Sequence, residues 1–189
     1  MEAALRIVLP KIIGDISYEI YPYQGKQDLI AKLPERLTGY SYWLPENWRI
    51  IVVVDRDDEN CDVLKASLEA ISAGAGLLTR FTSGDRNFSV VNRLAIEELE
   101  AWYFGDWSAV KSAYQRVPVN IPRTARYRDP DMITGGTWEA FQRILQRAGY
   151  FETGLRKIEA ARAIAAHMTP SENTSRSFQS LRTALMKMK

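Results

Sequence analysis

Residues 49–58 read RIIVVVDRDD, a run of β-branched apolar residues that stops abruptly in Asp55, Asp57 and Asp58. In a strand, side chains alternate between faces, so an extended run to Asp57 sets Asp55 and Asp57 on one side and Asp58 on the other. Two neighbouring carboxylates repel unless a cation lies between them, and Mg²⁺ is held by one or two carboxylates plus water and phosphate oxygens. The spacing is therefore that of a magnesium site. A plainer task competes with it: Asp57 or Asp58 can cap the helix that follows, and acids in a first helical turn offset its dipole. Capping needs one aspartate, which leaves Asp55 with no local task.

EELEAW, residues 97–102, is a second acidic group. On a helix, Ile96, Leu99 and Tyr103 share the apolar face, Glu100 borders it and Glu98 lies towards Trp102. Glutamates at a helix start are favoured by the dipole and are commonly solvated. These follow a strand-like stretch, as the aspartates do, and so could reach the same sheet edge. Other chemistries find less support. His167, the sole histidine, lies in an alanine-rich helix, and Cys61 falls on an apolar stripe where a buried thiol is expected. No nucleophile elbow, phosphate-binding glycine loop or dinucleotide fingerprint is present. Arg126 and Arg128, flanking Tyr127, are candidate contacts for a nucleic-acid backbone.

The elements that must position these groups follow from periodicity. Residues 2–13 carry a helical stripe through Ala3, Ile7, Val8 and Ile12, with Gly14 as the stop. SYEIYPY alternates as a short strand, and GKQDLIAKLPERLTGY is helical through Leu29, Leu33 and Leu37, with Pro34 a break or turn. RIIVVVD is a strand of the type covered on both faces in a parallel sheet. A helix follows through Cys61, Leu64, Leu68 and Ile71, ended by Gly74 and Gly76. GLLTRF and FSVVNRLAI read as strands around the turn TSGDRN, and EELEAWYFGD begins a helix. Residues 117–136 hold Pro118, Pro122 and Pro130 without periodicity, a long irregular loop. TWEAFQRILQRAGYF, LRKIEAARAIAAHM and SRSFQSLRTALMKMK are helical. The alternation predicts an α/β fold, a mostly parallel sheet with helices on both faces and a helical C-terminal tail.

Composition bounds the rest. The chain has 189 residues, 46% hydrophobic and 25% charged, with a net charge of +2, as expected for one ordinary globular domain rather than a disordered or fibrous chain. No stretch approaches the roughly 18 apolar residues of a membrane span. The N-terminal residues lack the basic leader and cleavage site of a signal peptide, and a single cysteine forbids an intrachain disulfide, so a cytoplasmic location is expected. Acids gather between residues 55 and 106, and arginines later, at Arg116, Arg123, Arg126, Arg128, Arg143 and Arg147.

Three blocks together, VVVDRDDENCDVLKASLE, NRLAIEELEAWYFGD and KIEAARAIAAHMTPSENTSRSFQSLRTAL, resemble the bacterial domain-of-unknown-function family 4276. That family is similar to the Toprim domains of topoisomerases, primases and OLD-type nucleases. The resemblance implies a Toprim-like α/β core over 1–115, the irregular loop over 116–136 and a helical C-terminal extension over 137–189 packed on the same domain. It implies Asp55 and Asp57 as the Asp-x-Asp ligands of Mg²⁺ (or Mn²⁺), Asp58 beside them, and Glu98 and Glu100, the acidic block before the tryptophan, as catalytic residues that assist the pair. The activity implied is phosphodiester hydrolysis of DNA or RNA in a phage-defence setting. A partner ATPase is implied too, and with it the alternative of a catalytically inactive docking module. The family's opening strand and its glutamate have no counterpart, Glu2 being the nearest acid. A sheet without that strand would expose an edge, which favours a homodimer.

Overall fold

The computed structural model describes residues 1–56, 59–84, 87–96 and 98–188. Its contacts divide the chain into two compact units: Tyr21–Leu94 with Met188, and Met1–Ile20 with Ala95–Lys187.

The unit of Tyr21–Leu94 is the α/β part. It contains helix α2 (Lys26–Ser41), strand β1 (Ile50–Asp55), helix α3 (Cys61–Gly74), the single turn α4 (Arg80–Ser83) and strand β2, which runs on to the unit boundary (Val90–Ala95). The two strands pair in parallel. Parallel neighbours need a crossover, and α3 supplies it. Val52 and Val54 point into a core with Leu33 and Leu37 of α2, Leu64 and Leu68 of α3, and Leu77 and Val90. The β-branched run suits this position because its stiff side chains pack well on a pleated, half-buried surface.

Sequence expectations need correcting at several places. SYEIYPY forms no strand among the described residues; Ile16, Tyr18 and Tyr21 are exposed, and Tyr18 Oη donates to the Arg6 carbonyl instead. Alternation without a neighbouring strand leaves the ladder bonds unmade. GLLTRF is likewise no strand. Thr79 makes one parallel bridge to Val90 and its hydroxyl accepts from Thr82 N, so the chain turns into α4. The sheet is accordingly a pair of strands among the described residues. Pro34 does not break α2: it sits inside the helix, which buries Leu33 and Leu37 on either side of it. Packing of that stripe outweighs the lost backbone bond.

The second unit is helical. Helix α1 (Glu2–Ile13) buries Val8 and Ile12 as the stripe predicts, together with Ala4, Leu5, Leu9 and Ile13, and ends at Gly14 with φ of 68°. Helices α5 (Glu100–Gly105) and α6 (Trp107–Ala113) are separated by Asp106. They are followed by two 3-10 turns (Ile121–Arg123 and Pro130–Met132), then α7 (Thr137–Arg147), α8 (Lys157–His167) and α9 (Arg176–Met186). Helix α1 packs on α8 and α9, and α6 on α8. Lys11 Nζ closes the α1–α8 contact by donating to the carbonyls of Ala165, Ala166 and Met168 at 2.8–2.9 Å, at the C-terminal end of α8. The proline-rich stretch is irregular as expected, yet it is anchored, since Val117, Asp131 and Ile133 are buried.

Candidate functional site

Asp55 is the last residue of β1, at the carboxyl end of the parallel pair, where ligands gather in open α/β sheets. Its side chain is half-buried, with Oδ1 withdrawn from solvent. Asp57 and Asp58 lie outside the described residues. The described residues on either side make contacts of their own. Lys26 Nζ, in the first turn of α2, donates to the Arg56 carbonyl at 2.9 Å and pairs with Glu59 at 2.8 Å. At the far end Asn60 Oδ1 accepts from the backbone N–H groups of Asp62 at 2.9 Å and Val63 at 3.2 Å.

That last contact corrects one expectation. Asn60, not Asp57 or Asp58, is the N-cap of α3. The sequence carried the signal, because Asn60 directly precedes the first residue of the helical stripe, Cys61. Cys61 itself is half-buried rather than buried, with Arg56 Nη1 3.8 Å from its sulfur.

The acidic block before Trp102 stands in the helical unit, and its members have different surroundings. Glu98 Oε2 accepts from Thr137 Oγ1 at 2.8 Å and Trp138 N at 2.9 Å, which caps the N-terminus of α7. Glu100, in the first turn of α5, is 6% exposed. Glu97 lies outside the described residues. Arg126 and Arg128 are exposed. Arg126 lies 5.6 Å from the Tyr127 ring centroid, and Tyr127 stacks on Phe104 at 5.0 Å. Among the described residues no three histidine, cysteine or carboxylate side chains converge as a metal cluster.

Two buried carboxylates that sequence reasoning passed over hold the helical unit together. Asp131 accepts from the hydroxyls of Ser175 and Ser177 at 2.9 and 2.8 Å and from the backbone N–H groups of Arg176 and Ser177, at the N-terminus of α9. Asp106 caps α6 through Ala109 N at 3.2 Å and reaches Thr169 N at 2.7 Å. The stretch TPSENTSRSF meets the end of EELEAWYFGD here. Asn173 Nδ2 donates to the Trp102 carbonyl at 2.8 Å, Thr174 N to the Gly105 carbonyl at 2.9 Å, and Trp102 Nε1 to Ser177 Oγ at 3.0 Å. Gly105 is required by this approach, since a Cβ there would come 2.9 Å from Ser175 N. Two of the three blocks behind the family resemblance thus owe part of their pattern to a buried clamp. Buried polar groups persist where every partner is supplied.

No curated protein and no solved structure matches the chain. A family match covers residues 1–186, nearly its whole length, to a domain of unknown function, DUF4276. The chain belongs to this family.

Proposed function

We propose that the chain is a Toprim-like, Mg²⁺-dependent phosphodiester hydrolase, or the nuclease subunit of a larger phage-defence assembly, with Asp55 and Asp57 as the metal-facing pair. The observation that carries the reading is the capping of α3 by Asn60, which leaves that cap to a residue other than the aspartates of the Asp-x-Asp. Position adds to it, because Asp55 ends a strand of a parallel pair.

The donor chemistry of the strand end fits a hard divalent cation. Asp55 offers carboxylate oxygens half-shielded from water, and Mg²⁺ takes one or two such groups and fills its remaining positions with water and phosphate oxygens. Asp55 and Asp57 would hold the ion, with Asp58 beside them. Bound there, it would supply a water-derived nucleophile and neutralise charge on the scissile phosphate. Lys26 holds the Arg56 carbonyl, directly after Asp55. Glu98 enters this reading as a positioning residue for α7, and Arg126 and Arg128 as backbone-phosphate contacts whose binding weakens with salt.

The test is cleavage of fluorescent single- and double-stranded DNA and RNA with Mg²⁺ or Mn²⁺. The reading predicts cleavage that EDTA abolishes and that Asp55→Ala with Asp57→Ala lowers by at least about 100-fold, the scale of losing a principal electrostatic contributor. Cleavage unchanged in the double variant would refute the assignment.

A second reading, an inactive docking module for a partner ATPase, has its own support. Tyr42, Trp43 and Trp48 are exposed, Trp43 packs 5.3 Å from Tyr40 and 6.3 Å from Trp48, and Arg36 lies 4.1 Å over Tyr21. Tryptophan, tyrosine and arginine are the residues that dominate binding hot spots. Under this reading Trp43→Ala abolishes function in the cell while the Asp55 and Asp57 substitutions leave it intact.

A further inference from the structure

A cavity of about 320 Å³ opens in the α/β unit between α3, α4 and β2. Its lining carries three cations, Lys65, Arg80 and Arg93, against one carboxylate, Glu69, and includes Phe81 and Asn92. Such a volume lies at the small end of ligand pockets. Three features mark it as more than a gap in the surface. First, cations outnumber the one carboxylate in a concave site, where low-dielectric walls strengthen the field. Burial holds the Arg93 guanidinium below its usual range, with Arg80 repelling it and Glu69 partly offsetting both.

Second, two acceptor atoms at the cavity are buried without a hydrogen-bond partner among the described residues: Asn92 Oδ1 and Glu69 Oε2. The rest of their bonding is fixed, since Asn92 Nδ2 donates to Glu69 Oε1 at 3.1 Å and to Ser72 Oγ at 3.3 Å. Asn92 is 4% exposed, and its bonds to Glu69 and Ser72 hold β2 against α3 behind the lining. Third, Phe81 is 69% exposed although it lines the cavity. Lys65 Nζ covers it at 4.6 Å from the ring centroid. An exposed aromatic beside a cationic pocket offers a stacking surface for a planar group.

We propose that this cavity binds the phosphate group of a small phosphate ester of nucleoside monophosphate size. Arg80, Arg93 and Lys65 hold the phosphate, and Phe81 flanks its base. Arginine suits the role because its planar fork matches phosphate oxygens. The site involves neither Asp55 nor Asp57. It stands whether or not those residues bind a metal.

Calorimetry on the full chain in EDTA tests it, with the metal reading silenced. The probes are adenosine 5′-monophosphate, adenosine, inorganic phosphate and a short single-stranded oligonucleotide. The expected result is adenosine monophosphate binding with Kd below about 1 mM. Adenosine should give no heat, and Arg80→Gln and Lys65→Gln should each weaken binding by at least about tenfold, the loss of one charge-assisted contact. Both variants are chosen for partly exposed side chains, and an unchanged Tm shows that they fold. Oligonucleotide binding that exceeds that of the monophosphate and falls in the same variants would keep the phosphate site but assign its phosphate to a nucleic-acid backbone. Absence of heat with every phosphate probe, or equal affinity in wild type and both variants, would overturn the proposal.

Discussion

At the residue scale, carboxylates of the same chemistry stand in sharply different surroundings. Asp131, Asp106 and Glu98 are structural acceptors, each meeting backbone N–H groups near a helix start, whereas Asp55 ends a strand. The sequence does not distinguish these cases by residue type. Glu98 was legible as an acid at a helix start, but the helix it caps is α7, begun 39 residues later at Thr137, and no local spacing reveals that. Tyr114 gives a test of how tightly the helical unit excludes water. Its hydroxyl is buried without a partner among the described residues, and burial pushes its pKa up from 10.0 to about 12, with Glu159 and Tyr150 adding to the effect. Between those values the unfolded chain has lost the proton and the folded one keeps it, so stability falls as pH rises through that window. Tyr114→Phe should therefore be nearly neutral at pH 7 and should flatten the fall in urea midpoint measured between pH 10 and 12. An equally steep fall in the variant would contradict the burial argument.

At the element scale, α1, α2, α3, α7, α8 and α9 were legible from their helical periodicity and β1 from its continuous β-branched run. The strands SYEIYPY and GLLTRF were not, since alternation over a few residues does not say whether a partner strand exists. The N-cap of α3 shows a different limit. Four polar residues, Asp57 to Asn60, precede Cys61, and any of the capping types among them could serve; the helix begins one residue after Asn60. Asn60→Ala should cost about 1 kcal/mol, read as a lower urea midpoint, and Asn60→Asp should restore it. Loss of stability in Asp58→Ala instead would return the cap to the aspartates. That result would remove the main support for a metal role at the end of β1.

At the scale of the whole molecule, the chain brings its first 20 residues together with residues 95–187, and the α/β part of Tyr21–Leu94 is folded between them in sequence. The α/β class was readable from alternating helices and strands. The division into two units was not, because α1 looks like the opening of the α/β core and instead packs on α8 and α9. No helix among the described residues is long and apolar enough to cross a membrane. The basic cavity was equally illegible, since Lys65, Arg80 and Arg93 come from three separate elements with no shared motif. The acidic end of β1, by contrast, was visible at once, as three aspartates within four residues.

The central claim is that this strand end binds a divalent cation, and calorimetric titration with Mn²⁺ tests it most directly. Wild-type protein should give a saturable heat, and Asp55→Ala with Asp57→Ala, folded to the same Tm, should give none. Identical heats from the two proteins would contradict the account.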